Sequence, residues 1–197
     1  MERWTGLALG AKAGDRGALE ALIDLAYGPT RRLCSTLVDA QSADDLVQET
    51  FLRMAKAIGR FRCESSAKTW LFSIAYHVCT SELRSRVRHR QHTEPGGDLT
   101  LHPHAIDHDP AGWIVVDDLV QRLDPDRRAA FVLTQIYGLS YDETATVCAC
   151  APGTVASRVA RARHDLIQLM GRVGDADDPR MLRPVPSRVV RPAEGIT

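Results

Sequence analysis

The 197-residue chain carries 25 acidic and 25 basic residues, so its formal charge is zero, and 44% of its residues are hydrophobic. That apolar share supports packed cores and excludes a chain disordered throughout, and the length suits one medium domain or two small ones. No run of about 18 apolar residues is present, and Met1-Glu2-Arg3-Trp4-Thr5-Gly6 lacks the charged-then-apolar plan of a secretory signal, so a cytoplasmic protein without membrane insertion is expected. The five cysteines are an odd number, and Cys148-x-Cys150 is too tight for a zinc knuckle. They read as buried, reduced small hydrophobes, and no metal or other cofactor is expected.

In chain order, Leu7, Leu9, Ala11 and Ala13 lead to a break at Gly14-Asp15-Arg16-Gly17. Ala18, Leu19, Leu22, Ile23 and Leu25 then make a helical stripe, which Gly28-Pro29 is predicted to interrupt before a helix resumes from Arg31 to Val38. These segments read as scaffold. Ser42 is the predicted N-cap of a helix from Ala43 to Ile58, with Asp44 and Asp45 in its first turn where the helix dipole favours acids and Gly59 closing it. Val47, Phe51, Met54 or Ala55, and Ile58 form its buried stripe. Asp44, Asp45, Gln48, Glu49, Arg53 and Lys56 face outward, as either a solvated face or a docking surface; spacing alone does not separate the two.

Arg60 to Lys68 reads as a polar loop, followed by a long helix from Thr69 to about Arg90 with Leu71, Ile74, Ala75 and Val78 at its apolar positions. Trp70, Phe72 and Tyr76 lie close to Arg60, Arg62 and Lys68, while Ser73, His77, Thr80, Arg84 and Arg88 follow along one polar strip. Rings that stack on unpaired bases and cations that hold a backbone are what single-stranded nucleic acid requires, although the same rings fit a core equally well. From Gln91 to Pro110 the periodicity vanishes. Pro95-Gly96-Gly97 breaks the helix, and His92, His102, His104 and His108 stand among aspartates and prolines at spacings too irregular for a metal site, the composition of a flexible linker. Charge is segregated: Arg84, Arg86, Arg88 and Arg90 form one basic block, Arg158, Arg161 and Arg163 another, and Asp98, Asp107, Asp109, Asp117 and Asp118 lie between. A neutral chain with two basic patches and an acidic middle suggests DNA binding that depends on a partner.

A second helical domain is predicted from about Trp113. Asp117 to Leu123 is helical, Asp124-Pro125 restarts as N-cap and first residue, and Ala129, Phe131, Val132, Leu133 and Ile136 pack a helix that Gly138 ends. Ser140 with Glu143 three residues later is a capping box opening a helix at Tyr141. After a turn at Cys148 to Ala151, Pro152 sits at a first helical position, and the final helix runs to about Met170. Val155, Val159, Ala162, Leu166 and Leu169 make its apolar stripe. Thr154, Ser157 and Arg161 project away from that stripe, with Arg158 and Arg163 on its flanks. This is the layout of a recognition helix in a helix-turn-helix, although an amphipathic hairpin with solvated arginines has the same pattern. Beyond Gly171 the chain is rich in proline and arginine, as disordered tails are.

Three collinear stretches, Ala43-Asp-Asp-Leu-Val-Gln-Glu-Thr-Phe-Leu-Arg, Phe61-Arg through Thr69-Trp-Leu-Phe-Ser-Ile-Ala, and Gly153-Thr-Val-Ala-Ser-Arg-Val-Ala-Arg-Ala-Arg, resemble the extracytoplasmic-function sigma factors of the sigma-70 family. The resemblance covers about Leu7 to Met170. It implies an all-α protein of two small helical domains joined by a flexible linker: a region 2 domain over 1–92, an acidic linker over 93–112, a region 4 helix-turn-helix domain over 113–171 and a tail over 172–197. It implies a non-enzymatic factor that binds core RNA polymerase and directs promoter-specific initiation. Asp44, Asp45, Gln48, Glu49 and Arg53 would meet the polymerase beta-prime clamp helices, and the region 4 domain its beta flap. Arg60, Arg62, Cys63, Ser65, Ser66, Lys68, Trp70, Ser73, His77, Arg84 and Arg88 would open and read the minus-ten element, partly as single strand. Pro152, Gly153, Thr154, Ala156, Ser157, Arg158, Arg161 and Arg163 would read the minus-35 element as duplex. Many relatives are held by an anti-sigma factor, and the charge balance permits that here. The runner-up is a stand-alone helix-turn-helix repressor or activator. Enzyme activity is not expected, because the chain has no Gly-rich phosphate loop, nucleophile motif or paired carboxylates.

Overall fold

The computed structural model of the chain describes residues 3–93 and 118–174, all helices and their connections. Residues 94–117, which hold all but the first residue of the expected linker (93–112) and the expected start of the second domain at Trp113 and of its first helix at Asp117, and residues 175–197 of the expected tail (172–197) lie outside the described residues. Helix α1 (Arg3–Lys12) and helix α2 (Arg16–Leu37) form a hairpin. Asp15 caps α2, its carboxylate accepting the Ala18 N–H at 3.1 Å. The hairpin is tight because Gly10 lacks a side chain: a Cβ there would fall 2.8 Å from the Ala18 Cβ.

The expected interruption at Gly28-Pro29 does not occur, and α2 runs through it with Pro29 inside the helix. A proline removes one ladder donor and crowds the carbonyl four residues back. Burial of Leu22, Ala26, Leu33, Cys34 and Leu37 on one continuous face outweighs that local cost.

Helix α3 (Ala43–Ala57) buries Leu46, Val47, Thr50 and Met54, then tightens into a 3-10 turn at Ile58–Arg60 that contains Gly59. Ala55 is exposed, so Met54 fills the shared position of the stripe. Ser42 precedes α3 but makes no side-chain cap. Its N–H donates to Asp39 Oδ1 at 2.7 Å and its hydroxyl accepts from Arg86, so that side chain is committed elsewhere. Helix α4 (Ala67–Thr93) is longer than expected at both ends. It starts two residues early because the Ser66 hydroxyl accepts the Thr69 N–H at 3.1 Å, an N-cap not anticipated from the sequence.

In the second half, residues 118–121 are helical (α5). Asp124 then caps α6 (Pro125–Phe131), accepting the N–H groups of Asp126 and Arg127. The expected single helix up to Gly138 instead widens into a π turn over Val132–Ile136, and Gly138 closes it at φ +68, a conformation a glycine adopts without strain. Helix α7 (Tyr141–Cys148) has both halves of the Ser140 and Glu143 capping box and ends in left-handed Ala149, φ +50. Helix α8 (Pro152–Gly174) continues past its expected end at about Met170, with Val155, Val159 and Ala162 buried and Leu166 and Leu169 half-buried.

The two halves share one core. Leu33, Leu37, Val47, Phe72, Ala75, Tyr76 and Cys79 pack in the same cluster as Val120, Ala129, Val132, Leu133, Leu139, Val147 and Cys148. A second cluster gathers α1, α2, α3 and the start of α4 around Leu22, Met54, Phe61 and Leu71. Buried Arg128 stitches the halves together: its guanidinium donates to the carbonyls of Thr36 (3.4 Å) and Leu37 (3.0 Å) at the end of α2 and to those of Gln121 and Leu123 (3.0 Å) beside α5. The C-terminal carbonyls of a helix have no intrahelical donors, and a planar cation with five N–H groups satisfies several at once. Among the described residues no helix is long and apolar enough to cross a membrane.

Candidate nucleic-acid interface

Three surfaces correspond to the expected sites. On α3, Asp44, Asp45, Gln48 and Arg53 are exposed, Glu49 is half-buried, and Leu52 stands among them at 52% exposure. The acids are not equivalent. Asp44 accepts from Arg31 Nε at 2.7 Å and from the Tyr27 hydroxyl at 3.4 Å, and the Arg31 hydrogen bond holds its carboxyl below the usual carboxylate range. Glu49 pairs with Arg53 at 2.6 Å along the same helix. Asp45 and Gln48 are the exposed acid and amide left between them.

The second surface is the loop before α4 and the outer strip of that helix. Arg60, Arg62 and Cys63 are exposed, with Arg62 3.8 Å from Glu64. Cys63 has φ +57, a left-handed conformation that costs a residue with a side chain about 1 kcal/mol. Such strain persists only where surrounding contacts impose it. Here they come from α1, which the sequence had offered only as scaffold: Lys12 Nζ donates to the Phe61 carbonyl at 2.7 Å, and the Thr5 hydroxyl accepts the Ala67 N–H at 3.2 Å. No periodic signal marks Lys12 or Thr5, since their partners lie about 50 and 60 residues away. Ser65 and Ser66 are half-buried, and Ser66 is occupied as the α4 cap.

Of the expected stacking rings, Phe72 is fully buried and Tyr76 nearly so, with the Tyr76 hydroxyl pushed up to about 12 by burial and by nearby Cys148. Both belong to the core, because the face of α4 that carries them is covered by the second half of the chain. Trp70 is half-buried with its ring 5.0 Å from that of Phe61. Along the outer strip Ser73 and Thr80 are half-buried and His77, Arg84 and Arg88 are exposed. Arg86, from the same basic block, turns inward to Asp39 and Glu82. Lys68 also turns inward: its ammonium donates to the Tyr137 carbonyl at 2.8 Å and lies 5.8 Å from the Phe72 ring centre. Next to it Thr69 donates to Glu143 at 3.1 Å, the Tyr137 ring meets Phe72 edge-on at 4.8 Å, and the Tyr137 hydroxyl donates to the Pro29 carbonyl at 2.8 Å.

The third surface is the start of α8. Pro152, Gly153, Ser157, Arg161 and Arg163 are exposed, and Thr154 and Ala156 are half-buried, with Gly153, Ser157 and Arg161 facing away from Val155, Val159 and Ala162 and Arg163 on the flank of that stripe. Arg163 donates to Gln135 Oε1 at 2.7 Å. Arg158, expected on a free flank, is half-buried: it pairs with Asp126 of α6 and reaches the Cys150 sulfur at 3.6 Å. Helix α7 lies across α8 as the first helix of a helix-turn-helix, joined by the left-handed turn at Ala149.

A helical protein with a solvated acidic helix, a braced basic loop leading into a long helix, and a capped helix-turn-helix with a polar outer face defines a two-module DNA-binding factor. The family models for sigma-70 region 2 and for sigma-70 region 4 match residues 19–89 and 114–166. The chain is 45% identical over 171 residues to the ECF RNA polymerase sigma factor SigC of Mycobacterium tuberculosis, covering 84% of this chain and 90% of that protein. It is 34% identical to the RNA polymerase sigma-H factor of Pseudomonas aeruginosa, covering 77% and 85%. Among solved structures it is similar to the sigma factor RpoE in complex with the anti-sigma factor NepR from Bartonella quintana, with a TM-score of 0.66 and 29% identity over 77% of this chain and 96% of that one. The chain belongs to the extracytoplasmic-function sigma factors of the sigma-70 family. As such it is a transcription initiation factor and not an enzyme: it binds core RNA polymerase and promoter DNA and directs initiation at particular promoters.

Proposed function

We propose that the three surfaces divide this work as the sequence expects. The α3 face, centred on Asp45, Gln48, Glu49 and exposed Leu52, docks on the clamp helices of the polymerase beta-prime subunit, and the second module meets the beta flap. The loop from Arg60 to Lys68 and the strip His77, Arg84 and Arg88 take the minus-ten strand, with Trp70 as the stacking ring. Thr154, Ser157 and Arg161 read the minus-35 duplex, with Ala156 beside them. The site of action is the cytoplasm, where the polymerase is.

The observation that carries this reading is the braced loop. A strained, exposed Cys63 directly after two exposed arginines, Arg60 and Arg62, in a loop held by Lys12 and Thr5, is a pre-organised cationic edge. A stand-alone duplex-binding repressor has no use for it. Elements centred near minus 10 and minus 35 are about 85 Å apart on straight B-form DNA at about 3.4 Å per base pair. A compact chain of this size is roughly 40 Å across. The contacts that join the halves through Arg128, Lys68 and Tyr137 therefore release when both elements are engaged on the polymerase. The structural relative held by an anti-sigma factor supports a protein regulator of that class for this chain as well.

The test is retention of a pool of bacterial promoter fragments by core polymerase, by this chain alone and by the two together. Fragments retained only by the combination support the reading. Specific duplexes retained by the chain alone, with no gain from polymerase, refute it in favour of a free-standing repressor.

A further inference from the structure

The outer face of α8 carries arginines that look alike in the sequence and differ in the fold. Arg161 is exposed, and among the described residues it has no ion-pair or hydrogen-bond partner. Arg158, three residues earlier, keeps 22% of its side-chain exposure. One arm of its guanidinium pairs with the Asp126 carboxylate, and the other rests against Cys150 in the turn between α7 and α8. Asp126 is the second residue of α6, and its side chain is 52% exposed. The neighbouring bridge from Arg127 to Asp165 at 2.6 Å fixes α6 against α8 independently. The bond from Asp126 to Arg158 is thus not the only tie between these helices, and its carboxylate stays half open to solvent.

We propose that Asp126 sets the DNA affinity of the recognition helix by competing with backbone phosphate for the Arg158 guanidinium. This rests on the reading that α8 meets the minus-35 duplex. A cation already paired with a carboxylate exchanges one anion for another when it meets DNA, and it releases little of the counterion atmosphere that a free cation releases. Arg161 contributes a full phosphate contact and Arg158 only a fraction. With Asp126 neutralised, Arg158 contributes as Arg161 does.

The experiment measures the salt dependence of holoenzyme binding to a promoter duplex recovered from the fragment pool, for wild type, Asp126→Asn, Arg158→Ala, Arg161→Ala and the double variant Asp126→Asn with Arg158→Ala. Asp126→Asn is expected to bind more tightly at low salt and to steepen the slope of log K against log salt by about one. Its advantage over wild type then shrinks about threefold between roughly 50 and 200 mM salt. In the Arg158→Ala background the same substitution leaves the slope unchanged, because removing Asp126 acts through Arg158. Equal steepening in both backgrounds would show simple repulsion between Asp126 and DNA and overturn the competition, as would no steepening in either. Arg161→Ala reports on the underlying reading: a slope shallower by about one places α8 on the duplex, and an unchanged slope removes α8 from DNA and this inference with it.

Discussion

Arg128→Met tests how the two halves are joined. The methionine keeps much of the side-chain volume and removes a guanidinium that donates to four carbonyls, those of Thr36, Leu37, Gln121 and Leu123. Each buried carbonyl left without a donor costs about 1–3 kcal/mol, while removing a buried cation recovers part of its desolvation. Two of the four carbonyls end helix α2 and are reached by water once the junction loosens, so the net loss is about 3–5 kcal/mol. With a urea m-value of about 2 kcal/mol/M, the unfolding midpoint falls by about 1.5–2.5 M. Because Arg128 bridges the halves, the fluorescence of Trp4 and Trp70 of the first half, read in a Trp113→Phe background, and far-ultraviolet circular dichroism, which reports all helices, should no longer coincide. Arg128→Lys should behave almost as badly, since one ammonium cannot serve four acceptors. A midpoint shift below about 0.5 M with coincident transitions would show that Arg128 does not hold the halves together.

Three further outcomes follow from single contacts. Ser140→Ala removes one half of the α7 capping box and should cost about 1 kcal/mol, a fall in Tm of about 2–4 °C by calorimetry. Asp45→Ala with Glu49→Ala should weaken co-elution with core polymerase while leaving the circular dichroism melt unchanged, both side chains being on the outer face of α3. Burial raises the Asp39 carboxyl, but the hydrogen bonds from Arg86 and from the Ser42 N–H outweigh it and leave the group below its usual range. A folded-state value below the unfolded one contributes stability above the ordinary carboxylate range of about 4 and loses it as pH falls through the folded value. Asp39→Asn should therefore flatten the urea midpoint against pH below about 4, and an unchanged acid limb would show the bridge to be immaterial.

Capping chemistry and apolar periodicity are local, and they were legible in the sequence. Ser140 with Glu143, Asp124 with Pro125, Pro152 at the head of α8, and the buried stripe of Val155, Val159 and Ala162 lie where the sequence places them. Failures came where a distant partner decides. Pro29 stays inside α2 because its neighbours along the helix are buried on both sides of it, which no local breaker rule registers. Ser42 gives its hydroxyl to Arg86, 44 residues away, and so does not cap α3. Phe72 and Tyr76 satisfied two patterns equally, and only the docking of α7 on α4 assigns them to the core. The same holds for the candidate sites. The exposed face of α3 and the tips Arg60, Arg62 and Arg161 could be read from spacing, whereas the inward turns of Lys68 and Arg158 depend on Tyr137 and Asp126 across the fold.

This chain gives core polymerase its promoter choice, and reconstituted transcription reads that choice at the level of individual starts. Core bacterial RNA polymerase, with and without the purified chain, is supplied with a pool of promoter fragments, and the transcript starts are sequenced. Starts are expected that appear only with the chain and share two upstream motifs, one near minus 10 and one near minus 35. Starts that are the same with and without it, or that are merely suppressed by it, would show that the chain does not direct initiation.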